Sequence, residues 1–86
     1  MVYRIVYGAR ALRSLTRMDR PQARLIRDRV TRLAIDPYGT SMDVKKLVGR
    51  PGFRLRVGDW RVIYELADEI QVLAVADVRH RREAYR

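Results

Sequence analysis

The chain contains no cysteine and only one histidine, one tryptophan and one phenylalanine among its 86 residues. Without cysteine, neither a disulfide framework nor a thiolate metal site can form. The apolar runs are far shorter than the roughly 20 residues that cross a bilayer. The N-terminal MVYRIVY also lacks the basic start and apolar block of a signal peptide. The expected compartment is therefore the cytoplasm, with no membrane partner. Also absent are a P-loop, a GxGxxG turn, a Ser/His/Asp pattern, a recognisable carboxylate pair and any metal-ligand spacing. These absences exclude most enzyme classes and point to no metal and no cofactor. Acidic residues are scarce as well: 10 Asp and Glu stand against 19 Lys and Arg, a formal net charge of +9 with a pI near 11.0. A chain this basic suits a polyanion or an acidic partner protein. All of these cations except Lys45 and Lys46 are arginine, the residue better suited to forked phosphate recognition.

At this length the chain, residues 1–86, reads as one domain with a modest core and no internal repeat. VYRIVY alternates as a strand does, with Tyr3, Ile5 and Tyr7 on one face. From Ala9 to Met18 the positions Ala11, Leu12, Leu15 and Met18 follow helical spacing. A second helix is predicted with Asp19 as its cap, Pro21 in its first turn and an apolar stripe of Ala23, Ile26, Val30 and Leu33, stopped by Asp36-Pro37. Its opposite face carries Arg20, Arg24, Arg27 and Asp28, a pattern that ordinarily marks a solvated surface. Residues 37–52 are rich in turn formers and read as a loop. Three strands follow, roughly Phe53–Val57, Trp60–Ala67 and Ile70–Asp77, too closely spaced for anything but antiparallel neighbours. The tail RHRREAYR reads as a last helical turn or irregular chain. The expected class is α+β, ordered β-α-α-β-β-β, with two helices on one face of an antiparallel sheet.

The segment FRLRVGDWRVIY, residues 53–64, carries three arginines in one hairpin. Gly58-Asp59 has glycine at the first of two central positions, as a type II′ turn requires. Pairing outward from that turn sets Val57 against Trp60, Arg56 against Arg61, Leu55 against Val62, Arg54 against Ile63 and Phe53 against Tyr64. Period-2 alternation then turns Phe53, Leu55, Val57, Trp60, Val62 and Tyr64 to the core and Arg54, Arg56 and Arg61 to the other side. A second turn at Asp68-Glu69 would put Ala76 across from Arg61 and Ala74 across from Ile63, leaving a shallow basic concavity floored by small residues. Like charges opposed on a sheet cost about 0.2–1 kcal/mol per pair, and folding does not call for them. A phosphate site does, because guanidinium forks match phosphate oxygens. The tail adds Arg79, His80, Arg81 and Tyr85 near the same place, and single-stranded RNA recognition combines a basic groove with aromatic stacking.

Metal-free RNA cleavage fits this set of residues. The ribose 2′-hydroxyl attacks the adjacent phosphorus, and the protein aligns the groups, neutralises the phosphorane, takes one proton and gives another. Arginines can stabilise the phosphorane, and one could serve as the acid, but guanidinium is a poor base. His80 and Tyr85 are the nearest candidates for the base, with Lys45 or Lys46 third.

Taken together, Y-x-I, a helix of the A-x-x-x-L type, a helix ending in L-x-x-x-P, K-L-x-G, R-x-R-V-G-x-W-R-V-I-Y-E and H-R-x-x-x-Y resemble the RelE/ParE superfamily of bacterial toxins. The resemblance covers essentially the whole chain. It implies a toxin of a type II toxin–antitoxin pair, neutralised by a cognate antitoxin protein and meeting operator DNA only through that complex. The RelE branch implies metal-independent endonuclease action on mRNA in the ribosomal A site, beside rRNA. Its site residues fall on Arg54, Arg56, Arg61, Arg79 and Tyr85, with Arg81 as the alternative to Arg79. Lys45, Lys46 and Arg50 would be RNA-contacting cations. The RelE archetype has lysines where this chain has Arg54 and Arg56, which raises the claims of His80 and Tyr85 to the base. The ParE branch shares the fold, generally lacks the full nuclease set and poisons DNA gyrase. The basic trio and the terminal tyrosine favour RelE.

Overall fold

The computed structural model describes residues 2–39 and 41–84, with the backbone alone for 83–84. Strand β1 (Arg4–Tyr7) leads through Gly8 into α1 (Ala9–Arg17) and α2 (Arg20–Ile35). Strands β2 (Val44–Lys46), β3 (Phe53–Val57), β4 (Trp60–Ala67) and β5 (Val72–His80) follow, and a short α3 (Arg81–Ala84) closes the described chain. The sheet order is β1-β5-β4-β3-β2.

The α+β class and the helix-on-sheet arrangement agree with the sequence reading, and two features of the sheet correct it. Three residues of the expected loop, Val44–Lys46, form an edge strand antiparallel to β3. The sheet is also mixed, because β1 pairs parallel with β5, Arg4 opposite Val72 through Tyr7 opposite Val75. The long path through both helices between β1 and β5 permits that parallel neighbour.

The helices form where their apolar spacing is helical. Ala11 and Leu15 of α1, with Ile26, Val30, Leu33 and Ala34 of α2, are buried against Leu55, Val57, Val62, Tyr64, Leu73, Val75 and Val78 of the sheet. Full burial of a side chain such as Ile26 or Leu55 contributes about 1.5–3 kcal/mol. Leu12, on the same predicted stripe, is 43% exposed. Asp19 occupies the cap position of α2, but only its backbone carbonyl serves the helix, accepting from the Ala23 amide at 2.9 Å.

The β4–β5 connection departs most from expectation. Four residues, Asp68 to Gln71, separate the strands, so Ala67 pairs with Val72, and Gln71 adopts φ +52°. The ladder then slips once more, with Tyr64 opposite Val75 but Ile63 opposite Asp77, so that Ala76 is an extra residue on β5. Such a bulge reverses the facing of everything beyond it. It accounts for both Val75 and Val78 being buried although they are three apart.

Far from the bulge, Asp68 ties the fold together. Its carboxylate accepts hydrogen bonds from the hydroxyls of Tyr3, at 2.8 Å, and of Tyr38, joining the start of β1 and the α2–β2 connection to the β4–β5 loop. These bonds hold the Asp68 carboxyl below its ordinary range, the one from Tyr38 having the larger effect. The same contact pushes the Tyr38 phenol up to about 12.

Candidate nucleic-acid interface

The β3–β4 hairpin has the expected register at all five pairs, including Arg56 opposite Arg61. Gly58 has φ +58° while Asp59 keeps a negative φ, the pattern of a type II′ turn. Across β4, Arg61 faces Arg79 on β5. Arg56, Arg61 and Arg79 therefore make a row across three strands on the face away from the helices. A second row, one step along the sheet, runs Lys45, Arg54, Ile63 and Asp77. The expected floor of Ala76 and Ala74 is not there: Arg79 stands opposite Arg61 and Asp77 opposite Ile63, because the longer loop and the bulge together move the register by three residues.

The cations are not equivalent. Arg61 is 6% exposed, and its Nη1 donates to the Gly58 carbonyl at 3.1 Å and to the Trp60 carbonyl at 3.2 Å. Arg56 is exposed, and its Nε donates to the same Gly58 carbonyl at 3.4 Å. That turn carbonyl lies between two like charges and offsets part of their repulsion. The Nε of Arg54 is buried and makes no hydrogen bond to the described residues. Arg79 donates from Nε to Asp77 Oδ2 at 2.7 Å, and Asp77 Oδ1 accepts from the Val78 amide at 2.9 Å. Sequence reasoning missed Asp77 altogether, because its place on this face depends on the bulge. The interval between Val75 and Val78, one residue longer than strand alternation allows, was the available signal.

The remaining expected site residues lie in several places. His80, next along β5 from Arg79, points to the helix side, edge-on to Trp60 at 5.3 Å between ring centroids. There it lines an open cleft of about 520 Å³ with Ser14, Arg17, Met18, Asp19, Gln22 and Trp60, across the sheet from the arginine rows. Arg81 begins α3 beside the hairpin turn, its amide donating to the Asp59 carbonyl at 2.7 Å and its guanidinium 3.9 Å from the Asp59 carboxylate. Lys45 shares the arginine face opposite Arg54, whereas Lys46, opposite Phe53, alternates to the other side. Arg50 is exposed on the β2–β3 loop. Tyr85 lies outside the described residues. Among the described residues, no three His, Cys, Asp or Glu side chains gather as a cation site.

The family model for the ParE toxin of the type II toxin–antitoxin system parDE matches residues 3–85. The chain belongs to the ParE toxin family. It is thus a type II toxin of the RelE/ParE superfamily, as the sequence motifs imply. Solved structures with the same fold include the RelBE2 toxin–antitoxin complex of Mycobacterium tuberculosis, at 20% identity and a TM-score of 0.81, covering 93% of this chain and 99% of that one. The RelE–RelB complex of Pyrococcus horikoshii is similar at 26% identity and a TM-score of 0.79, over 94% of this chain and 97% of that chain. The free Escherichia coli toxin RelE, in a double arginine-to-alanine mutant, matches at 18% identity and a TM-score of 0.79, over 99% of this chain and 90% of its own. No curated protein matches this ParE-family toxin.

Proposed function

We propose that this toxin is a metal-independent endoribonuclease that cleaves mRNA in the ribosomal A site and so inhibits translation. The observation that carries this reading is the row of Arg56, Arg61 and Arg79 on one sheet face, flanked by Arg54 and Lys45. Arg61, fixed by two backbone carbonyls, supplies a preorganised positive charge, and the more exposed Arg56 and Arg79 reach the scissile phosphate. As the 2′-hydroxyl attacks, negative charge grows on the phosphorane, and cations that need not reorganise stabilise it most. Arg79, or Arg81 from the start of α3, assists the departing 5′ oxygen. His80, across the sheet, takes no part in proton transfer. Lys45 is the described candidate that shares the arginine face, with Tyr85 the candidate from the tail.

A cognate antitoxin, expected to be acidic, neutralises the toxin by covering this basic face, and operator DNA is met only through that complex. The antitoxin-bound state of the similar M. tuberculosis and P. horikoshii toxins supports such a partner. Contacts with rRNA involve Lys45, Lys46 and Arg50, and the protein acts in the cytoplasm. Among the described residues no helix is long and apolar enough to cross a membrane.

Toxin added to translating ribosomes should produce A-site cuts. Arg56→Ala and Arg61→Met should each reduce them by about 10²–10³-fold, as for loss of one transition-state donor. Full cutting by both variants would overturn the assignment. The match to a ParE model favours a second reading, poisoning of DNA gyrase without nuclease activity. Trapped gyrase–DNA breaks with intact mRNA would select it.

A further inference from the structure

We infer that Asp77 is a positioning residue for an anion site: it grips the Nε edge of Arg79 and aims both Nη groups at a phosphate. The inference rests on the proposed role of the arginine row and extends it to a residue of the opposite charge.

Asp77 is engaged on both carboxylate oxygens, Oδ1 by the Val78 amide at 2.9 Å and Oδ2 by Arg79 Nε at 2.7 Å. It is the inner member of the pair, its side chain 15% exposed against 37% for Arg79. A guanidinium is planar, so a carboxylate on its Nε edge sets both the plane and the direction of the far end. Neither Nη of Arg79 has a hydrogen-bond partner among the described residues, so the forked end is available to a ligand. The only other ion pair within 4 Å among the described residues, Arg81 with Asp59, lies outside the row. Among the described residues Asp77 is therefore the single acid paired with a member of this arginine row.

Charge alone and geometry predict opposite signs. A carboxylate beside bound phosphate repels it, so on charge alone Asp77→Asn should tighten anion binding. If Asp77 acts by orienting Arg79, the same change weakens binding even though the net charge rises by one. Asn offers one acceptor oxygen instead of two and no negative charge, so the two contacts compete for it and the grip on the Arg79 plane weakens. Arg79→Lys, which keeps the charge but has no Nε edge or fork, should produce the same loss.

The test titrates the full-length toxin with inorganic phosphate while following arginine Nε–H signals by NMR. In the wild type the Arg79 Nε–H should already be protected from exchange without phosphate, and phosphate should move it. Asp77→Asn should remove the protection and weaken phosphate binding about tenfold, the cost of a misaligned charge-assisted fork. In an Arg79→Lys background, Asp77→Asn should have no further effect, because the coupling runs through one side chain. Equal or tighter phosphate binding by Asp77→Asn, an undiminished effect in the Arg79→Lys background, or no phosphate response in the wild type each overturn the inference. If Asp77→Asn does not fold, Arg79→Lys decides alone: unweakened phosphate binding overturns it. Weakened binding together with a wild type that cuts no mRNA would keep the positioning role and remove the nuclease assignment. Efficient cutting together with tighter phosphate binding by Asp77→Asn would do the reverse.

Discussion

Arg56 and Arg61 face each other across β3 and β4, and both donate to one acceptor, the Gly58 carbonyl, at 3.4 and 3.1 Å. A pair that should repel is thus held by the turn that places it. Arg61 is nearly buried, with two neutral carbonyls as its hydrogen-bond partners and Arg56 and Arg79 on either side, so replacing it loses hydrogen bonds and relieves repulsion together. Arg61→Met should change stability by less than about 1 kcal/mol, since the two contributions are of similar size. It should also abolish the rise in melting temperature that phosphate gives the wild type by binding the folded state. Melting curves with and without phosphate measure both quantities. A large fall in the phosphate-free melting temperature would show that Arg61 serves the fold first.

Two glycines with positive φ should differ sharply. At Gly52, φ is +108° and an added Cβ would lie 2.8 Å from the Tyr64 carbonyl oxygen. Gly52→Ala should therefore cost about 3 kcal/mol or more, combining backbone strain with a clash against the β4 backbone. At Gly58, φ is +58° and a Cβ would meet nothing. Gly58→Asn should cost only about 1–2 kcal/mol, the strain of a positive φ with no clash added. Denaturant midpoints of the two variants provide the comparison, and equal losses would contradict it.

The Asp68 carboxyl, held low by Tyr38 and Tyr3, links stability to acid. Because the folded value lies below the unfolded one, its contribution is present above the ordinary carboxylate range and is lost as pH falls through the folded value. Asp68→Asn should remove that component from an acid titration followed by circular dichroism. An unchanged acid profile would mean that the tyrosine clip adds nothing.

Tyr64 is fully buried, its hydroxyl makes no hydrogen bond to the described residues, and burial pushes its phenol up to about 12. A raised folded value gives stability that is complete below pH 10 and is lost as pH rises through about 12. Tyr64→Phe deletes an unsatisfied donor without changing the ring, so stability at neutral pH should hold or rise by about 1 kcal/mol. The alkaline loss between those two values should shrink. A drop at neutral pH would reveal a partner for the hydroxyl.

The hairpin was legible because its register is decided locally: a two-residue turn with glycine first leaves one pairing, and every pair follows from it. Helix α2 was legible for a similar reason, its buried positions Ile26, Val30 and Leu33 following a single period. The far side of the site was not. Gln71 takes a left-handed φ at a position where no glycine marks it, so Asp68-Glu69 looked like the whole turn. Strand β2 is three residues long amid turn formers, and the pairing of β1 with β5 joins the two ends of the chain. His80 was grouped with the arginines by sequence proximity, whereas one step along a strand is half a rotation away.

The extra residue at Ala76 makes the functional face a matter of phase as well as composition. Before it, β5 keeps time with Leu73 and Val75; after it, with Val78, and Arg79 is in step with Arg56 and Arg61 only because of the skipped beat. Pairing Ala76 in regular alternation, without the bulge, would leave every arginine in the chain and still send Arg79 toward the helices and Val78 toward water. A one-residue slip of register at this point would therefore do more than most substitutions of the arginines themselves. Counting basic residues in a related toxin reveals its surface only when the spacing between its buried valines is counted as well.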